Sequence, residues 1–193
     1  MARARAASAL VIIVMAVAIV ASVVFVLSKL GGAGIGTASV PATGTQRTDP
    51  PPATPVPTAS GVVTHVVDGD TLDVTLKGIR TRIRLLNVDT PETVKDNTPV
   101  QCMGPEASAR LKQLAIVGST VGLAFDVDRR DRYGRTLATV ITASGENASE
   151  ALAREGLGRA VRYGDNVAGY ATVLDAEKRA KAARLGMWSG VCG

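Results

Sequence analysis

Apolar and polar positions along this chain fall into three regimes. From Ala9 to Leu27, ALVIIVMAVAIVASVVFVL, no residue is charged. At about 1.5 Å per residue a helix of this length spans roughly 28 Å, the thickness of a bilayer core. Arg3 and Arg5 precede the run and Lys29 follows it, which sets the N-terminus in the cytoplasm and the remainder outside. A cleaved secretory signal is the alternative, although the apolar region of such a signal is usually about 7–15 residues. Residues 31–60, GGAGIGTASVPATGTQRTDPPPATPVPTAS, are built from Gly, Pro, Ala, Thr and Ser without apolar periodicity. They cannot bury enough surface to offset chain entropy and predict a disordered linker. The division is an anchor or uncleaved signal over residues 1–30, a linker over 31–60 and a globular domain over 61–193.

Within that domain the pattern alternates with a period of two in five short runs. GVVTHVVDG and TLDVTLKG meet at VDGDT, TRIRLLNVD follows through KGIR, and STVGLAFDVD and RTLATVITA flank the polar loop DRRDRYG. Gly or Asp bounds the first three, as in a hairpin meander. Helical spacing appears in GPEASARLKQLAIVG, with Pro105 and Glu106 suited to a first turn and Leu111, Leu114 and Ala115 on one face. NASEALAREG opens on the capping residue Asn147 and stops at Gly156, and AGYATVLDAEKRAKAARLG ends at Gly186. One helix after the third strand and two after the fifth predict an α+β, mainly β fold. Its plan is a five-stranded OB-fold barrel with about three packed helices, preceded by the transmembrane helix and linker.

The chain carries a formal net charge of +5. From Gly61 onward there are 18 Lys and Arg against 16 Asp and Glu, a net of +2. Overall charge therefore does not select a partner, and any polyanion must be met by local clusters. Cys102 and Cys192 are the only cysteines. In an exported domain an even pair is expected to form a disulfide, closing about 90 residues and contributing about 4–5 kcal/mol; two unrelated thiols are the alternative. His65, the single histidine, lacks an imidazole or nucleophile partner and reads as structural.

Candidate chemistry concentrates at strand ends. Asp70 follows the turn in VDGDT and Asp89 ends the third run, so both can converge on a hard cation such as Ca²⁺, with Asp68 behind them. A plain Asp-Gly hairpin turn explains the first carboxylate equally. Glu92 lies beyond Pro91, which keeps the chain extended and sets this carboxylate apart for holding a water; a solvated surface glutamate is the alternative. Alternation in RIRLLN puts Arg84 on one face with Leu86, Val88 and Arg82. A cation there needs a phosphate or a carboxylate partner. The loop DRRDRYGR gathers four arginines around Tyr133, and an aromatic face between Arg132 and Arg135 suits a base beside a held phosphate, where a solvated loop is the plainer reading.

Taken together, VDGDT, IRLLNVDTPET, GPEAS, DRYGRTLA, EALAREGLG and MWSG resemble the thermonuclease or staphylococcal nuclease-like domain, from about Gly61 to Trp188. The resemblance implies an OB-fold that cleaves DNA and RNA phosphodiesters with Ca²⁺ and leaves 3′-phosphates. Position by position it implies Asp70 and Asp89 as calcium carboxylates with the Thr90 carbonyl, Glu92 as general base, and Arg84 and Arg135 on the phosphate. Tyr133 and Arg132 would contact the nucleotide. A second tyrosine of the family pattern falls nearest Arg162, with Tyr163 beside it as the substrate-contacting candidate. The expected enzyme is a monomer, tethered outside the membrane by its N-terminal helix or secreted after cleavage. A binding module without catalysis, or an envelope scaffold with a vestigial site, are the competing functions.

Overall fold

The computed structural model describes residues 54–93 and 99–193. The predicted membrane helix and residues 31–53 of the predicted linker lie outside the described residues. Among the described residues no helix is long and apolar enough to cross a membrane.

Five strands, β1 (Ala59–Val66), β2 (Thr71–Leu76), β3 (Ile79–Leu85), β5 (Thr120–Ala124) and β6 (Thr136–Ile141), close into a barrel in the order β1-β2-β3-β6-β5. Antiparallel pairing of β1 with β5 closes it, and β3 and β6 run parallel. Alternation sends Val63, Leu72, Val74, Ile83, Leu85, Val121, Leu123, Ala138 and Val140 inward, all nearly inaccessible, which is the period-two burial expected of a small barrel.

Three helices follow the predicted order: α1 (Gly104–Leu114), α2 (Ala148–Arg154) and α3 (Tyr170–Ala182). The α1 helix starts with Pro105 in its first turn and buries Ala107, Leu111 and Leu114. The Asn147 side chain caps α2 by accepting from the Ser149 N–H at 3.0 Å, satisfying a donor that the helix itself cannot. A short 3₁₀ turn, Gly186–Trp188, ends the ordered elements.

Three expectations need correction. The linker boundary moves back, because pairing on β5 already begins at Ala59 and Thr58 donates to the Leu123 carbonyl at 3.0 Å. Backbone pairing rewards any residue able to extend, so composition hid this. The third strand breaks after Leu85, where Asn87 adopts φ 63°, a left-handed conformation that Asn tolerates better than most residues. Arg84 therefore does not share a strand face with Leu86 and Val88. Beyond the break, β4 (Val88–Asp89) leaves the barrel and pairs with β7 (Arg159–Ala160), a two-residue pairing too short for any periodicity to betray.

Candidate active site

Nine residues singled out from the sequence line one cleft of about 490 Å³ at the barrel rim: Asp70, Arg84, Asp89, Thr90, Glu92, Arg132, Tyr133, Arg135 and Tyr163. Asp68 and Asp131 complete its acidic lining. Asp70 immediately precedes β2 at the end of the Asp68–Gly69 turn, and Gly69 is required by close approach. A Cβ there would stand 2.6 Å from Thr90 Oγ1 and 2.7 Å from the Ala107 Cβ. The turn is thus pressed onto the β4 exit and α1, which brings carboxylates from two strand ends together.

Arg84 is the centre of this arrangement and only 3% exposed. Its Nη1 donates to the Leu85 and Val88 carbonyls at 3.1 and 2.9 Å, while Nη2 reaches Asp89 Oδ1 at 2.7 Å and Asp70 Oδ2 at 3.0 Å. A buried guanidinium is tolerable because every one of these contacts offsets lost hydration. Asp70 is held further by Thr71 Oγ1 at 3.1 Å and by the Thr90 N–H and Oγ1 at 3.0 and 3.1 Å. The Tyr163 ring lies 5.2 Å from the Arg84 guanidinium carbon, and Arg162 lies instead over Tyr170. Tyr163, not Arg162, lines the cleft.

On the opposite wall Arg135 Nε donates to Asp131 Oδ2 at 2.6 Å, and Asp131 Oδ1 accepts the Tyr133 and Arg135 N–H groups at 2.9 Å each. Arg132 donates to the Tyr133 hydroxyl at 2.8 Å, and both Arg132 and Arg135 lie over its ring. Asp131 is a cleft residue that sequence reading overlooked, although its spacing four residues before Arg135 was the available signal. Glu92 is held through its backbone: its N–H donates to Gln101 Oε1 and its carbonyl accepts the Gln101 N–H, both at 2.9 Å. The Thr93 N–H donates to Glu92 Oε1 at 2.9 Å. Nothing in the sequence marked Gln101.

Electrostatics reflect the crowding of acids. Burial, then the Asp70 charge, push Asp68 up to about 6. Burial likewise raises Asp89 against the pull of Arg84, with Asp70 and Glu92 adding to the rise. Tyr163 is pushed up to about 12, first by burial, so its hydroxyl stays protonated. Burial pushes the Asp131 carboxyl up, but hydrogen bonds from Arg135, the Arg135 charge and the Tyr133 N–H together lower it overall.

This donor set fits a hard cation. Asp70 and Asp89 approach one guanidinium nitrogen and so share a common point in space, and hard oxygen donors with a backbone carbonyl suit Ca²⁺. Among the described residues no three acidic, imidazole or thiolate side chains form a closed cage. With two carboxylates and one carbonyl from the protein, a phosphate and waters would complete the roughly six to eight oxygens such a cation takes. The Cys102 and Cys192 sulfurs are bonded, with Cα atoms 5.7 Å apart, in an adjoining cleft that also contains Gln101, Arg159 and Trp188.

The family model for staphylococcal nuclease homologues matches residues 82–190, which contains every cleft residue except Asp68 and Asp70. The chain is 43% identical over 127 residues to a thermonuclease of Staphylococcus hyicus, covering 66% of this chain and 74% of that protein. It is 42% identical over 134 residues to an uncharacterized protein of Bacillus anthracis, covering 68% of this chain and 62% of that protein. It is 43% identical over 127 residues to the endonuclease YncB of Bacillus subtilis, covering 65% of this chain and 59% of that protein. The match thus spans less than two thirds of two of these three relatives. Barrel, cleft and sequence agree, and the chain belongs to the staphylococcal nuclease homologue family.

Proposed function

We propose that this protein is a nuclease, and more specifically a Ca²⁺-dependent, sugar-non-specific endonuclease that hydrolyses DNA and RNA to 3′-phosphates. The observation that carries this reading is the convergence of Asp70, Asp89, Glu92, Arg84 and Arg135 on one cleft with Tyr133 and Tyr163. The nuclease names of two of the matched relatives support it.

Glu92, with one carboxylate oxygen already fixed by the Thr93 N–H, holds a water and removes its proton as the oxygen attacks phosphorus. The bond to the 5′ oxygen breaks, that oxygen takes a proton from solvent, and the phosphate stays on the 3′ side. Negative charge grows on the non-bridging oxygens, where guanidinium forks stabilise it best. Arg84 is rooted by two backbone carbonyls on Nη1 and lines the cleft with its Nη2 between Asp70 and Asp89. Arg135 reaches the same phosphate from the loop, steered by Asp131. Asp70, Asp89 and the Thr90 carbonyl would hold Ca²⁺, which when bound supplies further charge stabilisation to the phosphate. Arg132, Tyr133 and Tyr163 contact the nucleotide, the tyrosines by stacking.

Plasmid and RNA degradation by the purified protein in millimolar calcium tests this. Chelation, or Glu92→Gln, is expected to cut turnover by roughly 10²- to 10⁴-fold with an unchanged thermal melt. Cleavage that survives both treatments refutes the assigned roles, and retention of nucleic acid without hydrolysis by the wild type assigns the chain to a binding module instead. The same reading places the enzyme, as a monomer, outside the cytoplasmic membrane, tethered by residues 1–30 or released after cleavage. Protease added to intact cells should then digest the tethered domain, and a protected domain would overturn this placement.

A further inference from the structure

We infer that a single polynucleotide strand leaving the cleft continues along the outer face of β3, where Arg84, Arg82 and Arg80 form a ladder of phosphate-binding positions. The inference rests on the nuclease reading of the cleft and extends its substrate site to a surface where arginines, not the metal ligands, do the holding.

Residues two apart on a strand share a face and stand roughly 7 Å apart. Ile83 and Leu85 point into the core, so Arg80, Arg82 and Arg84 occupy the other side. The cross-strand partners on β2 are Thr75, Asp73 and Thr71, and His65 on β1 stands opposite Asp73. The catalytic end of this row is buried, with 4% of the Arg84 side chain exposed, whereas Arg82 and Arg80 are 50% and 68% exposed. The surface between them is grooved. A groove of about 440 Å³ shares Tyr133 and Arg135 with the cleft and adds Arg80, Arg82 and Asp73. A further one of about 370 Å³ continues from Arg80 past Thr75 and His65.

Asp73 is the one acid in this row, and it explains how the ladder is held without cancelling it. The residue is 1% exposed, its carboxylate accepting from Arg82 Nε at 2.9 Å, Arg82 Nη2 at 3.1 Å and Arg80 Nη2 at 2.6 Å. Arg82 alone would satisfy it bidentately. Arg80 is a second cation on the same carboxylate, which leaves one surplus positive charge on the exposed side. Each guanidinium has five N–H donors, of which Asp73 takes two from Arg82 and one from Arg80. The remainder are not taken by Asp73, and both side chains line the groove that shares Tyr133 and Arg135 with the cleft. Tyr133, 69% exposed at the junction, offers a face for a base. A row of cations beside one aromatic face, on a shallow surface, suits a flexible single strand.

Fluorescence anisotropy on the Glu92→Gln protein, with calcium present and cleavage suppressed, tests this using a labelled dinucleotide and a labelled 12-mer. The 12-mer is expected to bind more tightly than the dinucleotide. Adding Arg80→Gln should weaken the 12-mer roughly three- to ten-fold and reduce the slope of log affinity against log salt by about one. Dinucleotide affinity should stay as it was. Arg82 still satisfies Asp73 in that variant, and an unchanged thermal melt confirms that the fold is intact. Equal 12-mer affinity and salt slope with and without Arg80 overturn the ladder alone. Failure of the Glu92→Gln protein to bind either oligonucleotide overturns the nuclease reading as well.

Discussion

Asp73 and Arg84 illustrate at the scale of single residues how this barrel handles charge. Both are nearly inaccessible, and each is held by opposite charges that residue type alone does not reveal. For Asp73 the consequence is measurable. Hydrogen bonds from Arg82, then from Arg80, hold its carboxyl at about 2, below its ordinary value of 3.8, against the opposing effect of burial. A carboxylate depressed in the folded state stabilises the fold above its unfolded pKa and loses that contribution as pH falls through the folded one. Stability should therefore drop between about pH 4 and pH 2 by on the order of 1–2 kcal/mol from this residue, allowing for screening at the exposed arginines. Asp73→Asn should remove that part of the dependence, as urea denaturation across this range will report. Asp73 was legible in the sequence only as a polar position in a strand, since the arginines that hold it come from the next strand.

At the scale of elements, the link between the β4 exit and α1 is the one with consequences for chemistry. Glu92 and Gln101 exchange two hydrogen bonds, and Gln101 precedes Cys102 and the start of α1. Gln101 is thus a positioning residue for the proposed base. Gln101→Ala should lower kcat several-fold while KM and the thermal midpoint hold, and Gln101→Glu, which keeps the acceptor, should recover much of the loss. An unchanged kcat in the alanine variant removes Gln101 from that role. Periodicity found the strands and helices because burial of one face imposes it. It read through the break at Asn87 because one left-handed residue leaves the hydrophobic pattern intact. The β4–β7 pairing was invisible for a different reason: two residues contain no period.

Across the whole molecule, the Cys102–Cys192 bond ties the start of α1 to the chain end over a separation of 90 residues. Such a link restricts the unfolded chain more than the folded one. Cys192→Ser is expected to cost about 2–5 kcal/mol, and reductant should bring the wild type to the same denaturation midpoint. A midpoint unmoved by either would mean that the bond contributes nothing to stability. The cleft likewise depends on distant segments, because its walls come from the turn before β2, β3, the β4 exit, the loop before β6 and the segment after β7.

What the sequence determined by itself was local: the alternation that makes each strand, the caps and glycines that bound each helix, and the Asp-Gly-Asp, Asp-Thr-Pro-Glu and Asp-Arg-Tyr-Gly-Arg turns that set functional groups at element ends. These depend on neighbours within a few residues, so they are written where they act. Only the tertiary structure decided which groups meet: Arg84 with both Asp70 and Asp89, Tyr163 over that guanidinium, Arg80 and Arg82 on one buried carboxylate. Those partners are brought together by barrel closure and strand register, and a contact between distant residues leaves no mark on the chain between them.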